Sequence, residues 1–299
     1  MKHFASAFFV VLFVHAVSFG QGKSNDPYKP TLDRLEALTQ RAEPEWRFNA
    51  DIPHPEDPSV SDAGWGTYAV KNVDPGQSTN DEPWTGTRVF RRWIQIPEKI
   101  NGYATQGSRV ELNLRFASPD TLMITIFSNG SVLYRGDDDN ILPVLLTASA
   151  QPGQKFLVAA RVVAKDTSRA NFERAEINIQ PSASRPNPAL LRLEFLAARP
   201  IIAAYEDGRA QREEQLDAAI KAVDFTPLEK SDQSGFDASL RAAHLRLEVL
   251  KPWVQQFTIR LVGNSHIDMA WLWPWTETVE VVRNTFQSVL DLMREYPDL

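Results

Sequence analysis

Apolar and polar positions follow three successive rhythms along this chain. Residues 4–17, FASAFFVVLFVHAV, are almost wholly apolar. After a polar stretch, Leu32, Leu35 and Leu38 mark one face of a short helix, with Thr31 as its N-cap and Pro44 as its stop. Residues 48–80 are rich in Pro, Gly, Asp and Ser and predict few, short strands, while Trp65, Tyr68 and Trp84 supply large aromatic surface. From Arg88 the period becomes 2. Val89, Arg91, Trp93 and Gln95 share one face; Phe90, Arg92, Ile94 and Ile96 share the other. Residues 110–116 and 121–127 alternate in the same way. Asn129-Gly130 then leads into a return strand at 131–135, a strong hairpin signal. Further strands are expected at 142–146, 155–163, 174–179 and 190–197. Many short strands between turn residues predict an antiparallel sandwich, jelly-roll-like in form.

Near Pro200 the rhythm turns helical. Leu216, Ile220 and Val223 line one side of a helix over 206–223. A second helix is expected over 234–253, starting from the capping-box-like pair Ser234 and Asp237, with Leu240, Ala243, Leu247, Leu250 and Val254 as its seam. His244 lies one residue off that seam and reads as a surface or satisfied histidine. Residues 257–262 form an apolar-rich strand, and Thr276 begins a helix whose apolar positions include Val281, Phe286, Val289 and Met293. Glu277 in its first turn suits the helix dipole.

The expected fold class is therefore multidomain α+β: an N-terminal antiparallel β-sandwich, a helical linker, and one β–α unit, which a family resemblance carried by its own residues makes the first of an incomplete α/β barrel. The expected boundaries are a signal peptide at 1–20, a helix and irregular segment at 21–83, the sandwich at 84–198, the linker at 199–256 and the barrel start at 257–299. The chain stops at YPDL directly after a helical pattern, so a fragment is expected.

Composition narrows the chemistry. The 299 residues are 43% hydrophobic and 23% charged, which excludes a disordered, collagen-like or multi-span membrane chain. The net charge of −6 comes without a basic stripe, so nucleic acid is not an expected partner. Cysteine is absent, which excludes disulfides, zinc–thiolate sites and a Cys nucleophile. Any metal must be held by His, Asp, Glu or backbone oxygen. Lys2, the apolar run and the small residues Ser18 and Gly20 have the layout of a secretory signal peptide cut before Gln21. A secreted or periplasmic location follows, with membrane attachment only if that segment stays uncleaved. Asn129-Gly130-Ser131 also spells a glycosylation acceptor, but the turn explains the same residues. Residues 137–139, three aspartates, can attract calcium or form a solvated loop.

One segment carries chemistry. His266 and Asp268 follow the 257–262 strand, and ligands gather at the carboxyl ends of strands in α/β folds. Residues i and i+2 point the same way in extended backbone, so an imidazole nitrogen and a carboxylate oxygen can converge on one ion. Both donor types suit zinc, but a catalytic zinc takes about three protein ligands. A local hydrogen-bonded turn is the competing reading. Trp271, Trp273 and Trp275 can stack on sugar faces or pack as core.

The run GNSHIDMAWLWPWTETVEVVRNTFQSVLDLMREYPDL resembles the start of the catalytic domain of glycoside hydrolase family 38, the α-mannosidases, and the upstream sandwich and helical linker resemble its cytosolic/vacuolar-type branch and bacterial relatives. The resemblance is strong over 257–299 and moderate over 84–198. It implies a metal-dependent retaining exo-mannosidase acting on terminal α-linked mannose of oligosaccharides. His266 and Asp268 look like the first two metal ligands, for zinc, with cobalt or calcium as alternatives. Trp271 looks like the aromatic lining the sugar. The family's nucleophile and acid/base carboxylates come from later in its catalytic domain, so the 299-residue chain is expected to be inactive alone. Three other readings stay open. One is a secreted carbohydrate-binding sandwich with Trp65, Trp84 and Trp93 as its platform. The others are a deacetylase-type metal enzyme, against which Trp-Leu-Trp-Pro argues, and a structural subunit. An oligomer is compatible with all of them.

Overall fold

Strict alternation makes the centre of the sandwich. The computed structural model describes residues 26–72, 83–137, 141–167, 169–258, 267 and 274–295. The chain divides into two units, Met1–Val249 and Leu250–Leu299. In the first, the elements before the sandwich core are α1 (Lys29–Ala37), β1 (Gln40–Ala42), β2 (Glu45–Asn49) and β3 (Gly66–Ala69). The sandwich continues through β4 (Thr87–Gln95), the small hairpin β5 (Lys99–Ile100) and β6 (Tyr103–Ala104), and β7 (Arg109–Ala117). It closes with β8 (Met123–Ser128), β9 (Ser131–Gly136), β10 (Leu142–Thr147), β11 (Lys155–Val163) and β12 (Asn171–Gln180). Along β7, Val110, Leu112, Leu114 and Phe116 are all buried, as the alternation predicts.

One sheet runs β1-β12-β7-β10 and the other β3-β2-β4-β11-β8-β9, with antiparallel pairing throughout. Setting aside β2 and β3, the eight strands β1, β4 and β7–β12 form two four-stranded sheets, and the chain crosses between them at every step except the β8–β9 hairpin, the double-sheet arrangement of a jelly roll. Strands β1, β2 and β3 thus come from the segment read as largely irregular. β10 is an edge strand and accommodates Pro143, which cannot donate to a second neighbour.

The predicted hairpin is present. Asn129 and Gly130 form the two-residue turn between β8 and β9 with φ of 46° and 83°, the positive values a type I′ turn needs. Asn129 is also tied across to β11: its amide donates to the Leu157 carbonyl and its side-chain oxygen accepts from the Leu157 amide, both at 2.9 Å.

The two sheets meet over an aromatic core. Phe90 of β4 lies 5.0 Å from Phe172 of β12 and 5.8 Å from Phe116 of β7, and Trp46 of β2 lies 5.3 Å from Phe172. The Tyr68 hydroxyl accepts from the Phe172 amide at 3.3 Å, beside the bulge between Phe172 and Arg174. A buried amide that the irregular ladder would otherwise strand is thereby satisfied.

The helices differ from expectation at several points. Helix α1 starts at Lys29 with Tyr28 at its N-cap and Pro30 in the first turn, so Thr31 is inside it. Its Leu32, Leu35 and Leu38 face is buried as predicted. Residues 190–197, read as a strand, belong instead to α2 (Pro188–Ala204). Asn187 caps that helix by accepting from the amides of Ala189 and Leu190 at 3.0 and 3.2 Å. Leu191 and Phe195 then share the buried face at i and i+4, leaving Leu190 and Leu193 exposed. The helix runs through Pro200, held by the burial of Ile202. After it come α3 (Arg209–Lys221), α4 (Thr226–Glu229) and α5 (Gln233–Leu247). The cap of α5 is Asp232, which accepts from the Gly235 amide at 2.9 Å, so Ser234 is inside the helix. The single helix expected over 234–253 is broken by a 3-10 turn at Glu248–Leu250 before α6 (Lys251–Val254). Pro252 explains the break, since it lacks the N–H the helix would use. His244 bonds Glu194 at 2.9 Å, the satisfied histidine expected.

In the second unit the described elements are α6 and α7 (Trp275–Glu295). Most of the strand expected at 257–262, and the signal peptide at 1–20, lie outside the described residues.

Candidate functional site

His266, Asp268 and Trp271 lie outside the described residues, as do Trp273 and Asp138-Asp139 of the aspartate run. What is described beside them is the helix that follows. The Pro274 carbonyl accepts from the amides of Glu277 and Thr278 at 3.0 and 3.2 Å, which closes the first turn of α7. The helix begins at Trp275, one residue before the expected Thr276, and Trp275 is exposed. Glu277 sits in the first turn, where its carboxylate complements the dipole. On one side of α7, Phe286, Val289, Leu290 and Met293 recur at i, i+3, i+4 and i+7, and all are exposed, Phe286 by 60%. Over 286–293 the helix therefore presents an apolar stripe that no described residue covers.

Among the described residues no group of three or more His, Asp and Glu side chains can hold a metal ion. The donor chemistry of His266 and Asp268 suits zinc, but two donors fall short of the three that a catalytic zinc takes.

The sandwich places the three candidate platform tryptophans very differently. Trp65 and Trp84 are buried, so they are not a sugar-binding surface. Trp84 packs 5.0 Å from Phe90 and 6.1 Å from Tyr68, with the Arg88 guanidinium over its ring at 5.2 Å. Trp65 covers the outer side of β4, where the Arg91 guanidinium lies 5.9 Å from its ring. Arg91 itself is buried and donates to the carbonyls of Val60 and of Asp57, the latter at 2.8 Å. These bonds pin the 50–65 loop over the sheet. Ser59 donates to Asp57 at 2.8 Å, and its hydroxyl and amide hold that carboxyl below the usual carboxylate range.

Trp93 is the exception, at 50% exposure. It stands between two depressions. The larger, of about 720 Å³, is lined by Arg41, Glu43, Arg92, Trp93, Gln95 and Glu98 among others. The smaller, of about 380 Å³, takes in Arg47, Asp62, Thr67, Arg91 and Trp93. Beneath the larger one, Glu43 is buried and doubly paired. Arg41 Nε donates to its Oε1 at 2.8 Å, and Arg92 Nε and Nη2 reach its Oε2 at 2.8 Å each. Arg41 also donates to the Gln95 carbonyl at 2.9 Å, and Arg92 to that of Glu45. The arrangement links β1 to β4 and fixes both guanidinium groups. Sequence reasoning missed Glu43. Its only signal is the nearby Arg41, and a buried acid among polar neighbours leaves no periodic mark.

The C-terminal segment also has recognisable relatives. Residues 256–299 match the model of the glycosyl hydrolases family 38 N-terminal domain. That segment is similar to family 38. Over 43 residues the chain is 44% identical to Alpha-mannosidase 2C1 of Homo sapiens, an overlap of 14% of this chain and 4% of the human protein. Solved structures similar in part include a glycosyl hydrolase family 2 member from Bacteroides cellulosilyticus DSM 14838, at 17% identity and a TM-score of 0.35, covering 48% of this chain and 21% of that one. Ruminococcus gnavus Beta-glucuronidase matches at 12% identity and a TM-score of 0.32, covering 48% and 28%. At these scores neither bears on what this chain does.

Proposed function

We propose that this chain carries the opening of a family 38 α-mannosidase catalytic domain, in a protein that removes terminal α-linked mannose from glycans by metal-dependent retaining hydrolysis. The observation that carries the reading is the His266-Ile267-Asp268 sequence inside the matched segment 256–299. His266 and Asp268 would hold the metal, zinc by donor type, and Trp271 would line the sugar. The bound metal would grip sugar hydroxyls and favour the oxocarbenium-like transition state. The protein's part is to orient that ion with one imidazole and one carboxylate, and to flank the sugar with an indole face that excludes water. Retaining hydrolysis further requires two carboxyl groups about 5–5.5 Å apart, one as nucleophile and one as acid/base. We assign neither to this chain and treat it as a fragment of the catalytic unit. The uncovered stripe on α7 supports this, because a helix with one apolar face ordinarily buries it against the rest of its domain. The apolar run after Lys2 supports export to a secreted or periplasmic location.

Nitrophenol release from nitrophenyl α-mannoside tests the reading. The protein at its full natural length is expected to be active and sensitive to chelators. His266→Ala is expected to cost at least about 100-fold, since losing even an outer-shell partner costs about 10–100-fold. Full-length activity that survives both chelation and His266→Ala would overturn the metal assignment. Activity of the 299-residue chain above its His266→Ala control would overturn the fragment reading.

A further inference from the structure

Trp93 calls for an explanation that packing does not supply. Tryptophan side chains are highly buried on average, and three others in this unit, Trp46, Trp65 and Trp84, obey that rule. Trp93 instead holds half its surface to solvent on β4, paired in register with Leu157 of the central strand β11. Strands flank β4 on both sides, β2 and β11, so its backbone is fixed and the indole is presented by a rigid element.

The surroundings mix polar groups with small apolar ones, Ala42, Pro97 and Pro152 among them, and hold no second exposed aromatic ring. The other aromatic residue lining the two depressions, Trp46, is buried. A protein-docking patch would gather several exposed apolar side chains around such a ring. Here the rim offers Gln95, Glu98 and Arg41 on one side and Asp62, Arg47 and Thr67 on the other. The charges of the larger cleft balance: Arg41 and Arg92 against Glu43 and Glu98. Both arginines are already committed to Glu43, so they are oriented without leaving a surplus charge for an ionic ligand. The volumes lie within the ~300–1,000 Å³ typical of small-molecule sites.

An exposed indole face, flanked on both sides by hydrogen-bonding groups and on its larger side by charges that balance, suits a flat ligand with an apolar face, a hydroxylated rim and no charge. We propose that Trp93 is the stacking platform of a binding site for a neutral hexopyranose chain. One sugar ring lies on the indole, and its neighbours enter the two depressions. The site is independent of the C-terminal assignment: it binds sugar without metal and without cleavage.

Affinity electrophoresis of the 299-residue chain tests this, in native gels cast with soluble mannan, mixed-linkage β-glucan or galactomannan, with and without a chelator. Retardation in at least one gel is expected, unchanged by chelation. Trp93→Ala is expected to weaken it at least tenfold while leaving the thermal unfolding midpoint where it was, and Trp93→Tyr to retain part of it. Absence of retardation in all three gels would overturn the proposal, as would retardation that survives Trp93→Ala. So would loss of retardation on chelation. If Trp93→Ala instead changes the sedimentation coefficient and not retention, the ring serves contact between copies of the chain and the sugar site is wrong.

Discussion

The Nε of Arg185 donates to Oδ2 of Asp237 at 3.0 Å and, with the bond from Arg241 to the Ser184 carbonyl at 3.2 Å, joins the chain leaving β12 to helix α5. Around it, Arg185 Nη1 donates to the Ala104 carbonyl at 3.0 Å, and its guanidinium lies 4.4 Å from the Tyr103 ring. Gln233 completes the junction by donating to Asp237 Oδ1 and accepting from the Ala104 amide, both at 2.8 Å. Asp237 is buried and Arg185 largely shielded, so removing the arginine strands a buried carboxylate. Arg185→Met is expected to lower unfolding free energy by about 3–5 kcal/mol. The double variant with Asp237→Leu should lose less than the sum of the singles, as read by a urea double-mutant cycle.

Alkaline pH acts on the same junction. Burial, with the Asp237 charge adding to it and Arg185 opposing it, pushes the Tyr103 phenol far above its ordinary value of 10.0. Its hydroxyl donates to the Pro186 carbonyl at 2.9 Å. The folded state therefore keeps a proton that the unfolded chain gives up. The stabilisation is complete below about pH 10 and is lost as pH rises past it. Urea midpoints compared at about pH 9 and about pH 11 should fall more for the wild-type chain than for Tyr103→Phe.

The core offers a sharper contrast. Tyr68→Phe keeps the ring stacked among Trp84, Phe90 and Phe172 but leaves the Phe172 amide without its acceptor. The expected loss is about 1–3 kcal/mol, the penalty of an unsatisfied buried donor. At the tip of the β8–β9 hairpin, Gly130→Ala should cost about 1–2 kcal/mol because its φ is +83°. Chemical denaturation measures both.

Helix α7 is expected to respond in the opposite sense. Phe286→Ser removes a large side chain that nothing in the described residues covers. Stability of the 299-residue chain should change by no more than about 0.5 kcal/mol. Binding of the dye ANS should fall. A loss of several kcal/mol would mean that the stripe is packed within this chain.

How much of this was legible in sequence depended on periodicity. Residues 110–116 alternate without interruption, and Asn129-Gly130 can form few other turns, so β7 and the hairpin lie where expected. Residues 190–197 misled because Leu191, Leu193 and Phe195, with Arg192 and Glu194 between them, satisfy period 2, while Leu191 and Phe195 also satisfy the helical spacing. Asn187 and Pro188, a capping residue followed by a helix-starting proline, were the better signal. Trp65 and Trp84 sit in a Pro- and Gly-rich stretch where burial has no rhythm to betray it. Their place follows from long-range pairing, such as the Trp84–Ala170 bridge. His266 and Asp268 were found by spacing and by resemblance, which name donors but not a geometry.

The order of the strands also governs when the sandwich can exist at all. Arg41 of β1 pairs with Ile177 of β12, about 136 residues further along the chain, so local contacts alone cannot close the first sheet. β4 likewise waits for β11, which is its partner in register over the whole strand. During synthesis, strands made early carry unpaired edges until the last one has left the ribosome. Closure of the first sheet thus waits for β12, and a truncation before Asn171 would leave the inner edges of β1 and β7 unpaired.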